Sequence, residues 1–379
     1  MPASRTPPVQ ADLVVVGAGI VGLATALEAV ERGLSVVVVE RNDRATGASV
    51  RNFGHICLTA QTGQASGYAE AARERWLRLR DDAGVWVQEC GTLVIARSPA
   101  ELAVLTEFGE RELLAAPQVR QHLGQGTSGG DDAIVGGAFL PRDLRVDPRQ
   151  ATASIADHLA RCGVRFLWST SVLAVGTGGV LTSRGRVNAD FVVVAVGHDL
   201  DQLLPEVAEP WVQRCTLHML RVASPLPASI APAVLSGTSL LRYSGFLACP
   251  SSSAVREQFA HCQPELLAAG VNLMLTQHPS GDLIIGDTHS YAATPSPFAA
   301  EEYDELLLHE AARLLGVETL QVRERWLGTY AWAPDREFVL SSPASGVRTV
   351  TVTSGIGMTT GLGLGVAVLT DLLDPAPAS

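Results

Sequence analysis

The sequence predicts an α/β fold in two parts, a parallel sheet layered with helices and a mixed sheet with helices of its own. Three observations predict it. A strand–helix–strand unit occupies residues 12–40. Valine-rich runs, too apolar for a half-exposed strand, recur at 34–40 and 189–197. The 379 residues suit about two domains at roughly 150 residues each.

The elements follow in order. Asp12 to Gly17 (Asp-Leu-Val-Val-Val-Gly) reads as a buried parallel strand. A helical pattern runs from Leu23 to Arg32, and Gly33 stops it. Leu34 to Glu40 is the second buried strand. Residues 43–67 hold no period and read as a long loop. Helix is expected at 69–79, strands within 85–97, and one helix over 100–123, followed by a turn-rich patch from Gly124 to Asp132. Asp147 caps a helix that has Pro148 at its first position and runs to Cys162, with a turn at Gly163. Strands follow at 164–167, 172–175 and 189–197. Residues 214–295 read as strand-rich, with a helix near 255–268. A helix at 297–315, strands within 338–353, and a final glycine-rich turn and helix complete the chain. No internal repeat is visible.

The first motif is Gly17-x-Gly19-x-x-Gly22, set between strand and helix, with Glu40 eighteen residues past the third glycine. Those glycines allow a tight turn, close backbone approach to a pyrophosphate and tight helix packing. The helix N-terminus faces the phosphates, and Glu40 accepts from ribose hydroxyls. The unit is of Rossmann type and by itself serves FAD or NAD alike. A second cluster, five glycines from Gly355 to Gly365, precedes an apolar run. Between them, Ala45 to Gly54 is a small, polar, glycine-bearing loop suited to backbone contact with a cofactor.

Composition excludes several classes. With 47% hydrophobic and 18% charged residues, a sizeable core is expected. The net charge of −11 argues against a nucleic-acid partner. All 28 basic residues are arginine, which rules out a Schiff-base lysine and a P-loop lysine. Six cysteines without a C-x-x-C spacing read as reduced, buried thiols in a cytoplasmic protein. The first ten residues lack the apolar core of a signal peptide. Glycine density near the C-terminus argues against a membrane span. No Ser-His-Asp or metal-ligand spacing appears, so no metal is expected.

These features together resemble the D-amino-acid oxidase-like (DAO) family of FAD-dependent oxidoreductases. The resemblance rests on the unit from Asp12 to Glu40, the Ser49 loop, Gly163-Val-x-Phe followed by Val172, the run from Ala189 to Gly197, and the Gly355 cluster. It implies a Rossmann-type FAD-binding domain (1–84, 144–213, 327–379) interleaved with an α+β substrate domain built on a mixed sheet (85–143, 214–326). It implies a cofactor site at Gly17, Gly19, Ile20, Gly22, Glu40, Arg41, Ser49, Asn52, Phe53 and Gly54. Val172, Ala195 and Gly197 would continue it. Gly355, Gly357, Met358, Thr359 and Thr360 would bring backbone N–H groups, and a helix N-terminus near Thr360, to the flavin N1–C2=O edge. Some relatives carry flavin on a C-terminal cysteine. This chain has none after Cys262, so noncovalent FAD is expected. The lysine that some relatives place near the flavin for reaction with oxygen is also missing, so O2 or another electron acceptor remains open.

Ala48 to Gly54 (Ala-Ser-Val-Arg-Asn-Phe-Gly) further resembles a subgroup linked to phosphonate catabolism. That implies oxidation of an N-alkylated aminophosphonate, N-methyl-2-aminoethylphosphonate being favoured, to phosphonoacetaldehyde and an amine. The substrate is then a small anionic amine, and arginine suits its anionic group. Arg51, Arg242 and Arg336 are the candidates. His55, His289 and Tyr330 are the candidate catalytic residues. Rival readings are a sarcosine- or glycine-type amino-acid oxidase, a 2-hydroxy-acid oxidase, a flavin-binding module without turnover, and a nicotinamide-dependent dehydrogenase. A monomer or homodimer without nucleic-acid or membrane partners is expected.

Overall fold

The computed structural model describes residues 9–125, 133–208 and 212–374. The sequence-expected turn from Gly124 to Asp132 lies, from residue 126 onward, outside the described residues.

The first sheet grows around the Val9–Val16 strand. Val36–Val39 and Gly185–Val194 flank it, both parallel. Arg165–Leu167 extends one side and Val347–Val352 the other, again parallel. Phe338–Ala344 closes the latter edge antiparallel, and the hairpin of Val172–Gly176 and Gly179–Thr182 leans on Gly185–Val194. The four valines from Val36 to Val39 are all buried, as a strand covered on both faces requires.

Among the described residues the second sheet has nine strands. Gln213–Val222 pairs antiparallel with Leu283–Gly286, Ser290–Ala292 and Val322–Trp332. Met274–Gln277, Ala233–Leu235, Thr92–Ala96, Gly136–Leu140 and Glu112–Ala115 complete it. A small third sheet joins His55–Ile56, Leu144–Val146 and Val87–Gln88.

Several expectations are corrected. The first helix is Ile20–Glu31, one turn earlier than the apolar pattern indicates, because the turn glycines lead straight into it. The helix expected over 100–123 is two, Pro99–Glu107 and Ala116–His122, separated by Glu112–Ala115, which pairs with Gly136–Leu140. The long helix begins at Gly63 and runs to Ala83. The strand Val322–Trp332 was not expected; its long pairing with Gln213–Val222 supplies what the local pattern lacks. The thiols are not uniformly buried, since Cys162 and Cys262 are exposed. The cap at Asp147 stands: its side chain accepts from the Arg149 N–H at 3.0 Å, with Pro148 at the first helical position.

The C-terminal helix, Gly357–Leu373, explains most of its own glycines. A Cβ on Gly363 would lie 2.1 Å from the Tyr68 carbonyl oxygen, and one on Gly365 2.7 Å from the Ala24 carbonyl carbon. The helix is wedged against both Gly63–Ala83 and Ile20–Glu31 at distances only glycine permits. Arg75 pairs with Glu28 to tie those two helices to each other. The indole of Trp76, fully buried, donates to the Met358 carbonyl at 3.1 Å. Among the described residues no helix is long and apolar enough to cross a membrane.

Gly363→Ala is expected to cost about 1–3 kcal/mol, because the Tyr68 backbone must yield. Gly361→Ala meets only ordinary contacts with Ile20 and Val21, at 3.5 Å or more. It should be neutral or stabilising by up to about 1 kcal/mol through helix propensity. Denaturant midpoints of the two variants check the contrast.

Candidate active site

One cavity of about 710 Å3 runs from the first glycine turn to the second sheet. At its first end the strand Val9–Val16 stops and Gly17 turns at φ +104°. The Gly17 N–H donates to the Val39 carbonyl at 2.8 Å. A Cβ on Gly17 would lie 2.5 Å from the Ala195 carbonyl oxygen, and one on Gly22 2.0 Å from the Gly17 carbonyl oxygen. Gly17, Gly19 and Ile20 line the cavity; Gly22 does not, and serves the packing of helix on turn.

Glu40 ends the second strand and braces the turn. One carboxylate oxygen accepts from the Ala18 N–H at 2.9 Å and the other from the Asn42 N–H at 3.0 Å. The Ser49 hydroxyl accepts from the Ile20 N–H at 2.9 Å, so the loop caps the first helix. Arg41 lines the cavity with its guanidinium on Asp199 at 2.6 Å. Val172, Ala195 and Gly197 line the same end.

Further along, Asn52 holds its loop in shape. Its amide donates to the Ala48 carbonyl at 2.9 Å and accepts from the Gly54 N–H at 2.8 Å. Phe53 faces the cavity. Gly54 does not: at φ +70° its Cβ position falls 1.9 Å from the Val146 carbonyl oxygen, so it joins the loop to the small sheet.

The second helix N-terminus opens on this cavity through Gly355, Gly357, Met358 and Thr359. The helix starts at Gly357 with Ile356 as its cap residue, earlier than the Thr360 the sequence indicates. No side chain caps it among the described residues, so its first N–H groups stay open to a ligand. Thr360 is not part of this donor set. Its N–H and hydroxyl both donate to the Ile356 carbonyl, at 3.0 and 2.9 Å. The Thr359 hydroxyl accepts from the Cys57 N–H at 3.2 Å, which ties the helix start to the His55 strand.

A charged wall forms where Arg242, at the end of the short turn Gly237–Leu241, meets two tyrosines of the second sheet. Arg242 donates to the Tyr330 hydroxyl at 2.6 Å and the Tyr291 hydroxyl at 2.9 Å. Gly355, at φ +78°, fits beside Tyr330: a Cβ there would lie 3.1 Å from the ring. His289 donates from Nδ1 to the Gly270 carbonyl at 2.8 Å, because a backbone carbonyl only accepts. Burial, with the Arg242 charge, holds His289 well below the usual imidazole range, so it is neutral. Asp287 is buried beside it, and burial pushes its carboxyl up to about 7 against the opposing charge of Arg242.

His55 stands on the cavity wall in a buried chain. Its Nε2 lies 2.6 Å from the Thr92 hydroxyl, which donates to Asp143 at 2.8 Å. The Thr92 proton is thereby committed, so Nε2–H donates to it and Nδ1 is the acceptor nitrogen. Nδ1 is buried with no partner among the described residues. His55, Cys57 and Asp143 place possible ligand atoms within 4.8 Å of one another. Asp143 is taken up by Thr92 and by both the N–H and the hydroxyl of Thr59. Burial, reinforced by Asp143, also pushes the Cys57 thiol well up. Thr92 thus links His55 to Asp143 in one buried hydrogen-bonded chain.

Of the three arginines, Arg242 and Arg51 line the cavity. Arg51 is exposed and donates to the Leu327 carbonyl at 3.3 Å. Arg336 does not line it and pairs with Asp335 at 2.9 Å. The sequence reading missed Asp287, Tyr291, Thr92 and Asp143. A lone acid directly after the apolar run Leu283–Gly286 was the available signal for Asp287; Asp143 offered none.

A cavity with a nucleotide-type turn at one end and an open helix N-terminus at the other suits a dinucleotide whose reactive ring lies between them. The chain belongs to the family of FAD-dependent oxidoreductases (DAO), whose model matches residues 12–371. FAD is accordingly its cofactor. The chain is 23% identical over 248 residues to a D-amino acid dehydrogenase of Helicobacter pylori, a match spanning 49% of this chain and 60% of that protein. Its fold is similar to glycine oxidase from Geobacillus kaustophilus, with TM-score 0.77 and 18% identity, covering 98% of this chain and 96% of that one. It is also similar to L-proline dehydrogenase from P. horikoshii, with TM-score 0.78 and 19% identity, covering 96% and 94%. At these identities the solved structures speak for the fold alone.

Glu40→Ala removes the brace of the Ala18 N–H as well as the acid. It is expected to weaken FAD retention about 10–100-fold, at the scale of one or two hydrogen bonds to a charged group. Flavin absorbance per protein after dialysis against graded FAD measures it.

Proposed function

We propose that this chain uses FAD to oxidise the carbon–nitrogen bond of a small anionic amine to an imine, which water hydrolyses to an aldehyde and an amine. The observation that carries the reading is Arg242, a cavity-lining guanidinium oriented by two tyrosine hydroxyls. A phosphonate or carboxylate takes charge-assisted hydrogen bonds from such a group. Tyr330 and Tyr291 hold the guanidinium plane, which lowers the entropy lost when the anion docks.

FAD, when bound, supplies the hydride-accepting ring. Gly17, Gly19, Ile20 and Glu40 would hold its nucleotide end, with Arg41, Val172, Ala195 and Gly197 along it. Ser49, Asn52 and Phe53 would shape the loop beside the ring, and the open N–H groups at Gly357 to Thr359 would meet its N1–C2=O edge. We take binding to be noncovalent. His55, fixed by Thr92, offers Nδ1 as an acceptor at the wall. Neutral His289 lines the cavity beside Asp287. In this reading 1–84, 144–213 and 327–379 form the cofactor part, and 85–143 and 214–326 the substrate part. Arg242, Asp287 and Tyr291 come from the latter. Electrons leave to O2 or another acceptor.

The favoured substrate is N-methyl-2-aminoethylphosphonate, supported by the resemblance at Ala48 to Gly54 and by an arginine suited to phosphonate. A second reading, oxidation of an amino acid such as glycine or sarcosine, is favoured by the names of the relatives.

Anaerobic mixing of the FAD-loaded protein with the aminophosphonate, sarcosine, glycine and 2-hydroxyglutarate tests this. Rapid bleaching by the aminophosphonate alone supports the favoured substrate. Equal bleaching by sarcosine or glycine moves the assignment to amino acids, and no bleaching by any amine overturns the proposal. Arg242→Met is expected to raise KM for the amine about 10–100-fold, with a smaller effect on kcat, from the loss of a charge-assisted contact.

A further inference from the structure

The charged wall of the cavity carries one group whose role nothing above accounts for. Asp287 lies at the end of the strand Leu283–Gly286, lines the cavity, and is only 5% exposed. Its Oδ1 is buried with no hydrogen-bond partner among the described residues. The neighbouring His289 nitrogen is 3.9 Å away and already donates to the Gly270 carbonyl, so it cannot serve. Arg242 gives two of its five N–H groups to Tyr291 and Tyr330 and acts on Asp287 through its charge. A carboxylate oxygen buried without a hydrogen-bond partner is costly, and a native protein keeps one where a ligand completes it.

We propose that Asp287 is the amine-side group of the site: it pairs with the substrate's ammonium as the anionic end docks at Arg242, then accepts one N–H proton. This rests on the anionic-amine reading above. The step is a proton transfer only. The ammonium N–H bond breaks, its electron pair stays on nitrogen, and an O–H bond forms on the Asp287 carboxyl. Nothing is oxidised or reduced. The product is a neutral amine inside the cavity, with the lone pair that carbon–nitrogen oxidation requires. Asp287 also makes the cavity selective, because an ether or alcohol of the same shape brings no ammonium to pair with it.

The groups facing Asp287 set its pH behaviour. They are Arg242, His289, Tyr243, Tyr291 and Cys215. Burial pushes Tyr243 and Tyr291 up, and Cys215 up to about 12, while His289 is held neutral. Near neutrality only Asp287 changes charge, through about 7. The carboxylate form is needed to pair with ammonium, so amine affinity should rise with pH through that point. An anionic ligand without ammonium should bind better below it, where the carboxyl is neutral.

The experiment uses the FAD-loaded protein and two matched probe pairs. These are sarcosine with methoxyacetate, and N-methyl-2-aminoethylphosphonate with 2-methoxyethylphosphonate. Binding and proton exchange are read anaerobically by calorimetry, in buffers of different ionisation heat, on protein whose flavin has first been reduced, so that the amine binds without being oxidised. Near pH 7 the wild type should release up to about half a proton on binding the amine and take up a similar fraction on binding the ether. Asp287→Asn should weaken the amine at least about 30-fold, spare or tighten the ether, and abolish both proton signals. The calorimetric signs come from unmodified protein, so they decide the matter even where the variant folds poorly. If the wild type binds and oxidises the amine with no proton exchange, or Asp287→Asn keeps its amine affinity and pH limb, the Asp287 role falls while the function stands. If no amine binds or bleaches the wild type, both fall.

Discussion

Backbone contact that only glycine permits is the constraint on which this molecule depends. Gly22 sits against the Gly17 carbonyl, Gly365 against Ala24 and Gly363 against Tyr68, each closer than a Cβ could stand. These contacts press the first helix onto its turn, and the C-terminal helix between the first helix and the long one. The result is geometric. Two helix N-termini, far apart in the chain, open on one cavity. Each carries the partial positive charge of its macrodipole, so both ends of the cavity favour electron-rich groups.

The two ends are finished differently. At the first helix the Ala18 and Ile20 N–H groups are held by Glu40 and Ser49, which fixes the turn before any ligand arrives. At the second no side chain caps the helix among the described residues, and the start is held from outside by Trp76 on Met358 and Cys57 on Thr359. One end is rigid by its own hydrogen bonds; the other keeps its donors for a ligand while its neighbours supply the rigidity. Arg242, at the end of the short turn Gly237–Leu241, and Asp287, just past the strand Leu283–Gly286, then add two opposite charges on a partly dehydrated wall where polar contacts are stronger than in water.

The legibility of this design in the sequence follows from range. The glycine turn was readable because its strand, helix and acid lie within thirty residues, and the local period states each. The cap at Asp147 was readable for the same reason. The second glycine cluster was recognised as belonging with the first, yet its glycines divide by contact partner. Gly355 and Gly357 line the cavity, while Gly363 and Gly365 serve helix packing. Nothing in the run from Gly355 to Gly365 separates those roles. Arg336 and Arg242 looked alike in the sequence; one pairs with its neighbour and the other lines the cavity.

By itself the sequence determined the α/β class, the strand–helix–strand unit and the glycine turn that lines one end of the cavity, because hydrophobic period and turn chemistry act over a few residues. Only the tertiary structure decided the charged wall. Val322–Trp332 is a strand because Gln213–Val222 pairs with it. His55 has its tautomer because Thr92, 37 residues on, and Asp143, a further 51, meet it in the core. Asp287 is a buried acid with one oxygen unpartnered among the described residues because the strand Leu283–Gly286 carries it there. Those properties come from what surrounds a side chain, and long-range packing alone sets those surroundings.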